Sequence, residues 1–543
     1  MRAATIRGLV ILVFVAVATM ARPARVNAQH LTPIPHPIGA PDPTVAGARS
    51  AAAPQLASSQ WTPLVAQPLF LFNGAASPIL LTDGTVLVQD TGFPDWWRLT
   101  PDQTGSYVNG TWSEVASLPP GYSPLYHSTA VLPDGRLIIE GGEYLLSDDR
   151  SALVPSWTAK GAIFDPIANS WTMVDPPPFF TGFFPYPQTI GDAESVVLAD
   201  GTYMQANCCA PQAALLDAKT LTWTPTGSGK LDSYDEEGWT LLPNRKVLTV
   251  DAYVGAYDAA GTASELYDAR TGAWTSAGSS VVQLWDSAAS CGLSPSYEVG
   301  PAVLRPDGTV FYAGSNKCGP GHTAIYESRR DRWKAGPDFP DAVSIADGPA
   351  ALETNGNVLM MASPFYAPPS EFFEWDGKHL TAVVGPPNAP FDASYDGNML
   401  VLPTGQILLT DFSRDIEVFT PARSDERAET EETHAPVVAS APARVGRGRT
   451  YLVTGRGFNG VSQGAAYGDD AQAATNFPLL RLTNSRTGHV FYCRTHDHSS
   501  MAVASREPVS TQFDVPRHAE RGRSTLEVVA NGIGSCPVPV LVE

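Results

Sequence analysis

The chain has 543 residues, 43% of them hydrophobic and only 17% charged, with 47 Gly and 48 Pro. That length exceeds one hydrophobic core unless the core is built from repeats, and the composition excludes a coiled coil or a disordered chain. A formal net charge of −20 repels phosphate backbones and anionic lipid, so no nucleic-acid partner is expected, while neutral and cationic ligands stay open.

The first segment bears on the compartment. Arg2 and Arg7 form a short basic region, Leu9 to Met20 is an apolar run, and Val26-Asn27-Ala28 offers a small-x-small cleavage site. This predicts a signal peptide over 1–28, a mature chain from about Gln29, and a secreted, extracellular protein. The apolar run is shorter than the roughly 20 residues of a membrane span, and no later segment is apolar enough to cross, so no membrane insertion is expected. Residues 29–57, rich in Pro and Ala, read as a flexible leader.

Over 58–421 one unit recurs: apolar strand, tight turn, apolar strand. It reads SPILLTDGTVLVQD (77–90), HSTAVLPDGRLIIEGG (127–142), ESVVLADGTYMQAN (194–207) and GWTLLPNRKVLTVD (238–251). It continues as GPAVLRPDGTVFYAG (300–314), GPAALETNGNVLMMA (348–362) and GNMLVLPTGQILLTD (397–411). Asp-Gly between two β-type runs is a hairpin signal, because Gly accepts positive φ. Most hairpins are followed by a second pair of strands, such as GAIFDP then SWTMV (161–174) or ELYDA then AWTSA (265–277). The turn plus the Trp edge strand is the kelch signature, and the four-strand period fits the blades of a propeller. The expected fold is all-β: a seven-bladed kelch-type β-propeller over 58–421, whose last blade lacks a Trp strand. The orphan SQWTPLV (59–65) is expected to complete that blade and close the ring.

Residues 422–435, charged and polar, read as a linker. Over 436–543 the alternating runs TYLVTGRGF, LLRLTN, HVFYCRT, STQFDVP, STLEVVANG and PVPVLVE predict an immunoglobulin-like β-sandwich. Six cysteines in an exported chain are expected to form disulfides. Cys291 and Cys318 flank one blade's inner hairpin, Cys493 and Cys536 both lie in the last domain, and Cys208 and Cys209 are adjacent. The adjacent pair reads either as two small buried side chains or as a vicinal disulfide at a functional surface.

In such a ring the start of each inner strand and the end of the next lie on one face. That places Asn73, Tyr126-His127, Asp192, Glu194, Asp235 to Glu237, Tyr297-Glu298, Asp347 and Tyr395-Asp396 around one mouth, with Asp251, Asp411 and Trp239 close by. Crowded carboxylates beside aromatic rings suit a carbohydrate or polyol ligand, for which Asp192, Glu194, Glu236, Glu298, Trp239 and Tyr297 are the candidates. The same acids also suit a bound cation, acid/base pairs or plain backbone capping. Histidine is scarce, ten in all, and His496 and His498, two apart in RTHDHSS, suit a metal or a surface hydrogen-bonding turn. His127 at the mouth is a further candidate ligand.

YHSTAVLPDGRLIIEGGE (126–143) and RTHDHSS (494–500) resemble segments of the galactose oxidase / glyoxal oxidase-like group, secreted kelch propellers with a C-terminal early-set sandwich. The resemblance implies a copper ion held by two Tyr and two His, with one Tyr cross-linked to a Cys, oxidising alcohols or aldehydes. Tyr126 falls at the cross-linked Tyr, Tyr395-Asp396 at the Tyr-His pair, and His496 at the sandwich His that reaches into the propeller. The stretch NGAASPILL (73–81) carries no Cys, and Asp396 replaces a His. The implied catalytic residues are Tyr126, Tyr395 and Asp396, and the implied metal ligands His496, His127 and Tyr395, for copper or another divalent metal. The expected function is carbohydrate or polyol binding with an incomplete copper-radical site. The alternatives are a metal-dependent oxidase, a glycan-acting hydrolase or lyase, and a protein-interaction scaffold.

Overall fold

Seven sheets, each meandering from an inner to an outer strand, follow one another along the chain. The computed structural model describes residues 59–70, 74–147, 150, 152–254, 258, 260–288, 291–422, 425–469 and 473–543. The predicted signal peptide 1–28, the leader 29–57 and Asn73 lie outside the described residues. Blade 1 contains Ala75–Leu80, Val86–Asp90, Trp96–Thr100 and Thr111–Glu114, and blades 2 to 6 repeat this order, beginning at Ser128, Ser195, Thr240, Ala302 and Ala350. Blade 7 has Asn398–Val401, Ile407–Thr410 and Glu417–Thr420, and its outer strand is Gln60–Pro63, paired antiparallel with Gln60 opposite Thr420. The architecture is a closed β-propeller.

Local chemistry explains the repeat. In blade 1 the Asp83 carboxylate accepts the Thr85 amide at 3.0 Å while Gly84 takes φ 77°, a conformation open to Gly at little steric cost. Blade 4 has Arg245 at the corresponding place, held at φ 69°. Tryptophans on the outer strands of blades 1 to 3 clip each of them to its neighbour. The indole N–H of Trp112, Trp171 and Trp223 donates to Ala66, Ala116 and Asp175 carbonyls at 2.7–2.8 Å. Trp61, on the closing strand, does the same to Val384 at 2.8 Å, so the N-terminal strand behaves as an ordinary blade edge. Inner strands carry the rest: fully buried Val, Leu and Ile pack between blades, each contributing about 1.5–3 kcal/mol.

The segment read as a linker carries a helix, Asp425–His434, built from good helix formers and tied to blade 6 by Thr354 Oγ1 donating to Glu431 at 2.6 Å. Among the described residues no helix is long and apolar enough to cross a membrane. Beyond the helix, strands from Val437–Ser440 to Val538–Val542 wrap around one core of Val453, Leu480, Leu482, Phe513, Leu526 and Val528. Val490–His496 pairs with Leu479–Asn484 through its first half and with Val509–Asp514 through its second, which turns the sheet into a sandwich.

The sandwich sits under the hairpin turns of the propeller. The Thr495 amide donates to Thr82 O, Arg494 to Asp134 O, and the Met501 amide to Ala199 O, at 2.8–3.1 Å. Disulfides join Cys208 to Cys209 and Cys291 to Cys318. Contrary to expectation, Cys493 and Cys536 are free. Cys493 faces the sandwich core, while Cys536 is exposed beyond Ile533–Gly534, so the two thiols do not meet.

Candidate functional site

A finger from the sandwich threads the channel. Its base is held by Asn531, whose side-chain oxygen accepts the Val461 and Ser462 amides at 2.9 and 3.2 Å. Residues 461–469 then climb between the inner strands, using small side chains where space is least: Ala465–Ala466 pairs with Ala350–Ala351 as a fifth strand of blade 6. Gly468 lies so close to the wall that a Cβ there would fall 2.8 Å from Asp347 Oδ1. At the top the Tyr467 hydroxyl donates to Tyr395 O at 2.7 Å, and its ring stacks on Tyr126 at 6.4 Å.

Two residues after Tyr467, Asp469 joins the mouth carboxylates. Oxygens of Asp192, Glu236 and Asp469 lie within 4.8 Å of one another, and oxygens of Glu236, Glu298 and Asp347 do likewise, so Glu236 belongs to both groups. Glu236, Tyr297 and Asp347 have φ of 56°, 69° and 49°, strained values for non-glycine residues of the kind that concentrates at functional sites. Burial, with Glu298 nearby, pushes the Asp192 carboxyl up to about 7. Burial and then the charges of Glu298, Asp469 and Asp347 push Glu236 well above the carboxylate range. Asp235 is pushed the same way by burial and by Asp192. The Tyr366 hydroxyl donates to Glu298. Tyr253 stacks on Tyr297 at 4.0 Å, and Trp285 on the other side of Tyr297 at 5.4 Å. Tyr126, Tyr253, Tyr297, Tyr366 and Tyr395 are each half-buried.

Other expected site residues lie elsewhere. Trp239 is a core residue packed on Tyr234 and Trp274, because its side chain turns between blades. Glu194 is buried below the mouth and accepts the Ser195 amide at 2.9 Å. Glu237 and Asp251 turn away from the mouth to Lys230, whose Nζ lies 2.8 and 2.6 Å from them, 3.0 Å from Glu265, and also pairs with Asp232. Asp396 accepts the Ala393 amide at 2.9 Å, capping its own turn.

The copper donors implied by the resemblance do not assemble. Tyr126 and Tyr395 both flank Tyr467, but the backbone turn at Tyr126 sends His127 into the wall. There its Nε2 bonds Gln89 at 3.1 Å, and burial pushes its pKa down to about 4. His496 lies at the turn end of the propeller, 2.8 Å from Asp497 and 3.4 Å from Asp514. His498 is buried there on Thr511 and Phe477. The loop that does reach the mouth carries Asp469 instead of a histidine. Among the described residues the mouth therefore offers carboxylate and phenol oxygen without imidazole, a set that does not fit the copper-radical site. The sequence carries no local signal for Lys230, and for Asp469 only the run of small residues before YGDD (467–470) sets the segment apart.

No family model matches the chain. A curated relative, the Kelch-like protein terF of Aspergillus terreus, is 26% identical over 147 residues, which is 26% of this chain and 27% of that protein. The chain thus matches about a quarter of that relative's length. Among solved structures, a fungal alcohol oxidase of the AA5 family in complex with copper is similar at 13% identity and a TM-score of 0.45, covering 90% of this chain and 100% of the other. Virginiamycin B lyase from Staphylococcus aureus is similar at 8% identity and 0.46, covering 67% and 99%. The WD40 propeller domain of Doa1 is similar at 11% and 0.39, covering 67% and 97%.

Proposed function

We propose that this chain is a secreted, galactose-oxidase-like kelch propeller that binds a carbohydrate or other polyol at the channel mouth, without copper-radical chemistry. One observation carries the reading: carboxylates and half-buried tyrosines share the mouth. Asp192, Glu236 and Glu298 supply acceptors for ligand hydroxyls, and the half-buried rings of Tyr253 and Tyr366 supply apolar surface for the C–H groups of a sugar ring. The two disulfides agree with an oxidising compartment. Glycan-array screening followed by calorimetry tests this. Tyr253→Ala and Glu298→Gln each weaken binding at least about tenfold, the loss of one good ring or hydrogen-bonding contact, with the circular dichroism spectrum unchanged. A wild-type chain that binds no glycan or polyol refutes the reading.

A second reading is favoured by Asp192, protonated up to about pH 7 beside the other mouth acids, as a general acid would be. Chain-shortened products from a polysaccharide, lost in Asp192→Asn, would make the protein a glycan hydrolase or lyase.

A further inference from the structure

We propose that the mouth holds one hard divalent cation of the calcium class, liganded by Asp192, Glu236 and Asp469, with Glu298 and Asp347 grouped beside it around Glu236. The inference goes beyond polyol binding and does not depend on it.

Spacing is the first argument. Calcium binds oxygens at about 2.4 Å, so ligands across its shell lie up to about 4.8 Å apart. Each of the two carboxylate groups fits inside that span, and Glu236 links them. Unmet hydrogen-bonding capacity is the second. Asp192 and Glu298 are 9% and 8% exposed, yet Asp192 Oδ1 and Glu298 Oε2 are buried without a hydrogen-bond donor. A buried carboxylate oxygen with no donor is costly, and a cation removes the cost.

Charge is the third. Among the described residues no Lys or Arg pairs with Asp192, Glu236 or Glu298. Blade 4 shows the contrast, since Lys230 pairs with all four acids of its group. Among the described residues no such lysine meets Asp192, Glu236 or Glu298. The mouth's donors are oxygen only, which selects calcium-like over copper-like ions, so the site departs from the copper centre that the resemblance implied. Asp469 comes from the sandwich finger, so the ion would fasten that domain to the propeller.

The test uses the full mature chain, stripped with EDTA and titrated with CaCl2 and then MgCl2 by calorimetry, with melting followed in parallel. The inference expects saturable binding of one Ca2+ per chain, weaker Mg2+ binding, and a higher melting temperature in Ca2+. Asp192→Asn and Asp469→Asn lower Ca2+ affinity at least about tenfold. The inference expects these variants to fall below wild type in melting temperature in Ca2+ but not in EDTA; a merely structural role would lower melting in both. Absence of saturable Ca2+ binding by folded wild-type chain overturns the inference, as does undiminished binding in both variants. Glycan binding that persists in EDTA alongside no Ca2+ binding overturns the cation and leaves the polyol reading standing. Ca2+ binding without any glycan does the reverse.

Discussion

Replacing Lys230 by Met keeps the side chain's length and removes its charge. The ammonium is 1% exposed and faces four carboxylates, three of them at 2.6–3.0 Å, besides Asp232. At 2.8 Å and an effective dielectric constant of 20, one such pair attracts by roughly 6 kcal/mol before desolvation and repulsion among the acids are charged against it. Removing one partner from a buried group typically costs about 3–5 kcal/mol net. At roughly 2 °C per kcal/mol for domains of a few hundred residues, melting should fall by about 6–10 °C. The pH dependence has a definite sign. Burial holds Asp251 above the usual carboxylate pKa, so the folded state binds more protons than the unfolded one, and that contribution fades as pH rises. Without the lysine, protonation is the remaining way to neutralise these acids. The deficit of Lys230→Met is therefore smallest near pH 5 and widens toward pH 8, as calorimetric melting across that range will read. A deficit below about 1 kcal/mol, or one that narrows with rising pH, would refute the electrostatic account.

Three further outcomes follow from the geometry. Arg245→Gly relieves a left-handed backbone position and gives up only an exposed ion pair to Glu507, so urea denaturation should show about 0.5–1 kcal/mol of added stability. Trp61→Ala removes the clip to Val384 and the contacts with Phe372 and Phe419, loosening the ring closure by about 2–3 kcal/mol; protease cleavage near residue 66 should accelerate before any global loss of structure. Burial first, and then Asp411, pushes Glu417 up to about 9, with both its oxygens lacking hydrogen-bond donors. Raised in the folded state, this group supports stability at low pH and loses that support as pH climbs toward 9, so Glu417→Gln should flatten the decline in melting temperature between pH 5 and 9.

The blades were readable because each depends on local rules. A turn that needs positive φ takes Gly84, and an indole that reaches the neighbouring blade recurs at Trp61, Trp112, Trp171 and Trp223. The mouth acids were readable for the same reason, since each sits just ahead of an inner strand. Long-range choices were not. Whether Glu237 joins the mouth or turns to Lys230 depends on a side chain that only the folded blade brings near. Trp239 and Tyr297 both stand close to inner strands, yet one turns into the core and the other lies half open. The finger is the clearest case: nothing local in YGDD distinguishes a loop that stays on the sandwich from one that climbs the channel. Likewise Cys493 and Cys536 share a domain but face opposite environments.

The strand Gln60–Pro63 has its partner at Glu417–Thr420, so it emerges from the ribosome among the first elements of the ring and finds its mate among the last. At about 5–20 residues per second, the interval lasts roughly 20–70 s, during which both edges of an unfinished wheel are open to foreign strands. Slow synthesis or a chaperone that occupies those edges would thus govern yield more strongly than the stability of the finished ring.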